Sequence, residues 1–297
     1  MKKKIYLYLC GGLGNQLFQY AAARNLAIKN NAELILDTVS GFITDFIWFN
    51  RFNLNLKFKN NRNFYRIVFV FWIYRFYKIF FKKKLISKFF GYNLIDETSI
   101  NYYEKKIINI NFNKNLYMMG FYQVDKYFLE NSNTILKELR PKAPNNKNFL
   151  ALKKKIILKN SISIGIRVYQ DVKNKNLLKF GGLTDVNFYE KAINIFKKKI
   201  HKPNFFIFSK DSADVKNFIK KLKILSQYPI NIITSDRGYS GDSENLWLMS
   251  NCRNHIISNS SFYWWGAYFS RLNYKNTKVI CADNFINKDT RPKTWKY

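Results

Sequence analysis

From residue 161 to its end the chain alternates short apolar runs with amphipathic stretches, and few folds accept that rhythm. Runs at 161–166, 204–209, 230–234, 255–258 and 278–282 read as buried strands. Stretches at 187–199, 213–222, 243–252 and 264–272 read as helices, the first with Phe188, Ala192, Ile195 and Phe196 on one face. Strand, helix and strand in repetition build a parallel sheet with helices on its faces, because each return to the sheet needs a crossover. The start of the chain has the same grammar. A strand at 5–10 leads through GGLGNQ (residues 11–16) into a helix at 17–27 and a strand at 32–37. The apolar run in MKKKIYLYLC stops after six residues, short of a signal-peptide core, and reads as a first strand. Between the two alternating regions, PKAPNNKNF (141–149) breaks every period and reads as a linker. The expectation is α/β, two doubly wound Rossmann-like domains, 1–145 and 146–297.

Charge narrows the partners. The 297 residues include 51 Lys and Arg against 19 Asp and Glu, a net +32 that favours anionic ligands. The abundance of Lys, Asn, Ile, Phe and Tyr also fits an AT-rich coding bias, so charge alone names no partner. The three cysteines, Cys10, Cys252 and Cys281, form no C-x-x-C pair, which argues against a disulfide framework or zinc site and fits a reducing compartment. His201 and His255 have no ligand partners at metal spacing. Residues 64–90 are rich in aromatic and basic side chains, with Arg75, Lys78, Lys82, Lys83 and Lys84 among them. They suit either a helix lying on an anionic membrane surface or one packed on its own domain with its lysines outward.

Several strand-to-helix turns are suited to binding an anion. GGLGNQ places Gly12, Gly14, Asn15 and Gln16 where backbone N–H groups meet the start of a helix. It lacks both the dinucleotide and Walker spacings, and a tight turn without ligand is the competing reading. Asn259, Ser260, Ser261 and Phe262 precede a second helix, as a phosphate cradle or as an ordinary cap. Trp264 and Trp265, just after them, read as core. Asp211 ends the run FFIFSKD, either capping a helix or facing a nucleotide. Arg167 ends the run SISIGIR, with Gly165 two residues before it. In a parallel sheet these strand ends share the carboxyl edge, where an arginine fork suits a diphosphate. No D-x-D sequence is present to hold a divalent ion on a nucleotide diphosphate.

Together these stretches resemble the bacterial α-1,2-fucosyltransferases of glycosyltransferase family 11. The similarity runs through GGLGNQLFQYAAARNLA (11–27), RFNL (51–54), GFYQVDKYF (120–128), the strand into Arg167, FFIFSKD (205–211) and ENLWLMSNCRNHIISNSSFYWWGAYFS (244–270), in the family's order. The resemblance implies a GT-B-like architecture, two domains facing a cleft, with residues 64–90 as a helical insertion in the first. It implies GDP-fucose as donor, bound by the second domain, and inverting transfer of L-fucose to the 2-hydroxyl of a galactose-type residue in a surface glycan. It implies no cofactor and no metal. It places Arg167 on the donor diphosphate and assigns catalytic roles to Arg167 and Asn15. It assigns donor contacts to Gly12, Gly14, Gln16, Asp211, Asn259, Ser260, Ser261 and Phe262. The expected location is the cytoplasm, peripheral to the inner membrane where the basic segment meets anionic lipid.

The chain departs from the family's His-x-Arg-Arg-x-Asp pattern. Gly165 stands for the histidine, Val168 for the second arginine, and Asp171 falls one place late. Asp171, Asp242 and Glu244 are the candidate bases. Two alternatives remain at this stage: a transferase of the same fold using another nucleotide sugar, and a non-enzymatic basic protein binding nucleic acid. The absence of any RNP, KH or zinc-finger signature argues against the second, and no nucleic-acid partner is expected.

Overall fold

A computed structural model describes residues 2–37, 88–89, 92–97, 99–113, 115–158, 160–168, 181–210 and 212–295, with positions 69, 72, 73 and 76. They form two compact units, one running to Leu139 and the other starting at Arg140. Each unit is an α/β layer structure around a largely parallel sheet. Among the described residues no helix is long and apolar enough to cross a membrane. Arg75, Lys78 and Lys82–Lys84 lie outside the described residues, as do Asp171 and Asp211.

The first unit comprises β1 (Lys4–Tyr8), α1 (Leu13–Lys29), β2 (Glu33–Asp37), β3 (Lys88–Phe89), β4 (Tyr92–Asp96), α2 (Lys105–Ile108), β5 (Asn115–Met119) and α3 (Ser132–Glu138). The sheet order is β2-β1-β5-β4-β3, parallel throughout except for the antiparallel β3–β4 edge. α1 starts four residues before the expected position. Gly12 is its extended N-cap, and the Gly12 carbonyl accepts from the N–H groups of Asn15 and Gln16, so the GNQ sequence forms its first turn. α1 is buried on nearly all sides, which its Ala-rich sequence permits. It is tied to α3 by the Arg24 fork on Glu138, 2.7–3.1 Å, and by the Tyr20 hydroxyl donating to the same carboxylate.

The second unit comprises α4 (Lys147–Ile157), β6 (Ser161–Gly165), α5 (Val186–Lys199), β7 (Asn204–Phe208), α6 (Ser212–Lys221), β8 (Ile230–Ile233), α7 (Asp242–Ser250), β9 (Asn254–Ile257), α8 (Ser261–Phe269) and β10 (Lys278–Cys281). All five strands are parallel, in the order β10-β9-β6-β7-β8. The chain therefore builds outward on one side of β6, then crosses back to lay β9 and β10 on the other. That doubly wound order puts a topological switch point between β6 and β9. α5 turns slightly from the expected face: Tyr189, Ala192, Ile193 and Phe196 are buried, while Phe188 and Ile195 flank them. β6, β7 and β9 are buried along nearly their whole length, with Ser161, Ser163 and His255 among the buried side chains. His255 in β9 is fully buried, its Nδ1 is 2.7 Å from Ser163 Oγ, and burial pushes its pKa down to about 3, so it stays neutral.

At the carboxyl edge of the first sheet one buried carboxylate organises a turn. Glu97, 8% exposed, accepts from the Phe121 N–H at 2.7 Å and the Tyr122 N–H at 3.2 Å. Gly120 (φ +144) makes this possible, since a Cβ there would lie 2.5 Å from Glu97 Cβ. Desolvation pushes the Glu97 pKa up to about 7, against the two backbone N–H bonds that favour the ion; Glu104 and Asp96 add repulsion. The Tyr122 and Tyr127 phenols face the same cluster and are raised in turn by burial and by Glu97. A carboxyl whose folded pKa lies above its ordinary 4.5 contributes stability that is complete below that value and is lost as the pH rises through about 7. Glu97→Gln cannot ionise, and its amide oxygen can accept both N–H groups from the Oε2 position. Its melting temperature is therefore expected to fall less than that of the wild type between about pH 5 and about pH 8. Identical pH dependence of melting in the two proteins would refute this role.

Candidate functional site

The carboxyl edge of the second sheet is closed by one tyrosine. Tyr263, in the first turn of α8, donates its hydroxyl to the carbonyls of Ile166 (3.0 Å) and Phe208 (3.1 Å). Its ring lies flat where a side chain at residue 165 would be: a Cβ on Gly165 would sit 2.4–2.8 Å from three ring carbons. The Tyr189 hydroxyl bonds the Gly165 carbonyl at 3.1 Å, and the Ser258 N–H bonds the same oxygen at 3.3 Å. The Ile166 N–H bonds the Phe208 carbonyl at 3.0 Å. The ends of β6, β7 and β9 and the start of α8 are thus one hydrogen-bonded assembly.

Arg167 stands next to it. Ile166 is buried and Val168 packs on the core cluster, so alternation turns Arg167 outward, and it is exposed. Its main chain is one residue from a carbonyl that bonds α8, which sets it beside the switch point. Ser260 is the N-cap of α8, 5% exposed, and makes no side-chain cap bond. Ser261 and Phe262 belong to the first turn of the helix, three residues ahead of its expected start, and Phe262 packs edge-on against Tyr263. The first N–H groups of a helix have no intrahelical acceptors, so this end of α8 attracts anions. Trp264 and Trp265 are fully buried, as expected.

Asn259 sits at the same edge with its amide already engaged. Its Nδ2 donates to the carbonyls of Gly182 (3.0 Å) and Asn284 (3.4 Å), while Oδ1 accepts from Thr184 at 3.2 Å. Asn284 in turn donates to Gly181 at 3.0 Å. The side chain of Asn259 therefore ties loop 181–184 to the segment after β10. Asp242 and Glu244 occupy the first turn of α7; burial, and then Glu244, raise the Asp242 pKa.

In the first unit, Gly12 is exposed at the start of α1, and Gly14 is buried within its first turn. Gln16 is fully buried, and its Nε2 donates to the Gly11 carbonyl at 2.7 Å. Its amide braces the turn from inside. Asn15 is half-buried and accepts from Gln123 Nε2 at 2.7 Å. Gln123 follows the turn that Glu97 holds, and in the same segment the Tyr127 hydroxyl accepts from the Glu104 N–H at 2.9 Å. These contacts give GFYQVDKYF a structural meaning: it carries Gln123 to Asn15. Tyr263, Glu97 and Gln123 were not singled out from the sequence. The signal for Tyr263 was Gly165, a glycine at the end of a fully buried strand, whose missing side chain some other group must cover.

Comparison with known proteins places this arrangement in a lineage. The sequence model of glycosyl transferase family 11 matches residues 2–297. An Escherichia coli protein named alpha-1,2-colitosyltransferase is 32% identical over 272 residues, covering 88% of this chain and 85% of its own. The E. coli O-antigen biosynthesis glycosyltransferase WbnK is 26% identical over 304 residues, covering 94% and 93%. Among solved structures, Arabidopsis thaliana FUT1, an arginine-to-lysine mutant in complex with GDP, matches with a TM-score of 0.54 at 11% identity, over 95% of this chain and 70% of that one. At that identity the likeness concerns the fold.

The Tyr263 contact makes a direct test. Tyr263→Phe leaves the Ile166 carbonyl without the hydroxyl, and Phe208 with one donor instead of two. A loss of about 1–2 kcal/mol in unfolding free energy, with unchanged denaturant slope, is expected. Gly165→Ala should cost more, because the clashing atoms are a ring fixed at both ends. A Gly165→Ala protein as stable as the wild type would show that the ring is not held there.

Proposed function

Since the chain belongs to glycosyl transferase family 11, we propose that it is an inverting α-1,2-fucosyltransferase. It moves L-fucose from GDP-fucose to the 2-hydroxyl of a galactose-type residue in a surface glycan such as an O-antigen. The observation that carries this reading is the family match over residues 2–297, joined to the α-1,2 linkage in the name of the 32% identical relative. The name of the second relative supports an O-antigen-type acceptor. We assign the architecture to the GT-B type, with the donor on the second unit and the acceptor on the first.

In this reading the guanosine diphosphate lies at the carboxyl edge between β6 and β9. Arg167 and the first turn of α8, with Ser260 and Ser261, face its phosphates. Phe262 belongs to that turn, and we assign Asp211 to the nucleoside. The acceptor hydroxyl attacks the anomeric carbon while the bond to the diphosphate oxygen breaks, both electrons of that bond leave with GDP, and the hydroxyl proton passes to a base or to the departing phosphate. Charge grows on the leaving phosphate as the sugar becomes cationic, so a preorganised arginine and helix terminus act most strongly in the transition state. Gly12 and Gly14 leave room beside α1. We assign a catalytic role to Asn15, which accepts from Gln123, while Gln16 serves by holding the turn.

A second donor is favoured by one observation. The 32% identical relative is named for colitose, which is fucose without its 3-hydroxyl. Turnover with GDP-fucose and GDP-colitose compared side by side decides between them. For either donor, Arg167→Ala is expected to lower kcat at saturating donor by at least about a hundredfold while the melting temperature stays unchanged. Normal turnover in that variant would sink the assignment of Arg167. In thermal-shift binding, GDP should stabilise the protein and UDP should not. The lack of a D-x-D sequence leads us to propose transfer without a metal, so activity should survive EDTA. A strict requirement for added Mn²⁺ would contradict this.

A further inference from the structure

We propose that the second unit carries another anion site, at the amino-terminal end of its sheet, for a pyrophosphate- or polyphosphate-bearing ligand. There, at the opposite strand ends from Arg167, lies a groove of about 920 Å³. Lys199 from the end of α5, Arg253 before β9, Lys275 from the turn before β10 and Lys278 at the start of β10 line it, and no carboxylate does among the described residues. A volume of this size fits a small organic ligand and far exceeds a single ion.

Arg253 is the organising group. Its guanidinium lies 5.4 Å over the ring of Tyr274, and the Tyr274 hydroxyl is anchored on the Asn251 carbonyl at 2.8 Å. The Arg253 N–H donates to Ser161 Oγ at 3.1 Å, fixing its main chain at the mouth of β6. This cation–π contact with a held ring gives the arginine a fixed neighbour without using a hydrogen-bond acceptor. Such a fork matches phosphate oxygens two at a time. Among the described residues the guanidinium meets no carboxylate or carbonyl, and the three lysines have no ion pair. Four cations converging on one groove without counter-charge call for a ligand with several negative charges. Ile200 is the one aliphatic side chain in the lining, and the cations around it favour a soluble phosphate ester.

Calorimetric titration with inorganic pyrophosphate tests the site. GDP is kept saturating, so that the proposed donor site is closed to it. The wild type should bind one pyrophosphate, and so should Arg167→Ala. Arg253→Ala should bind at least about tenfold more weakly, and Arg253→Lys should recover part of the loss, since an ammonium keeps the charge without the fork. Arg253 is exposed, so these variants should fold, and melting curves check that they do. Pyrophosphate binding that is abolished by GDP, or that is indifferent to Arg253→Ala, overturns the proposal. Vesicles of phosphatidylcholine with phosphatidylglycerol separate the two sources of phosphate. Sedimentation that depends on Arg253 and is reversed by pyrophosphate would assign the site to a lipid headgroup. Its absence, with pyrophosphate binding intact, assigns the site to a soluble ligand.

Discussion

The carboxyl edge of the second unit depends on the contact between a ring and a missing Cβ. Gly165 lets the Tyr263 ring lie against the end of β6, and the ring in turn places its hydroxyl on the carbonyls of Ile166 and Phe208. Three strand ends and one helix start are fixed together as a result. The glycine costs some strand stability, as glycine in a strand interior does. The return is a rigid platform where a flexible cation needs one.

Topology explains why this edge, rather than another surface, holds the candidate residues. The chain winds outward from β6 in two directions, so the ends of β6 and β9 meet at the topological switch point of the sheet. The first unit shows a parallel economy of means. Its carboxyl edge is built from the turn of Gly11 and Gly12, the Glu97 carboxyl and the loop carrying Gln123, all joined by short polar contacts. In both units loops are stitched by side chains that do not face solvent, which leaves Arg167 and Gly12 as exposed positions beside rigid frames.

The sequence showed the order of elements plainly over β1, α1 and β2 and from β6 onward, because buried strands read as apolar runs and amphipathic helices keep their period. β3, β4, β5 and α2 to α4 were not read from it, and α4 begins inside the stretch that reads as a linker. Where elements were read, their boundaries were less visible. α1 and α8 both start earlier than their apolar content announces, since their first turns are made of Gly, Asn, Gln and Ser, residues that read as loop. The same composition concealed which polar groups are structural. Asn259 and Gln16 look like ligand contacts in a list of turn residues, yet their amides hold backbone carbonyls. Tyr263 was hidden for the opposite reason: flanked by Phe262 and Trp264, it reads as one more core aromatic, and only its hydroxyl partners set it apart. No local pattern links Glu97 to residues 120–122, because parallel strands pair segments far apart in sequence.

The departures from the family's strand-end pattern then form a consistent set. Position 165 has no room for a histidine while the Tyr263 ring occupies that space. Position 168 faces inward, where Val168 packs with Ile166 against the core of the second unit, and an arginine there would have to bury its charge or unwind the segment. Only position 167 is exposed, and there the arginine is kept. The glycine at 165 thus goes with a tyrosine ring in the space beside it, and the valine at 168 goes with packing against the core cluster. The strand end keeps a single exposed arginine directly after a carbonyl that the Tyr263 hydroxyl holds.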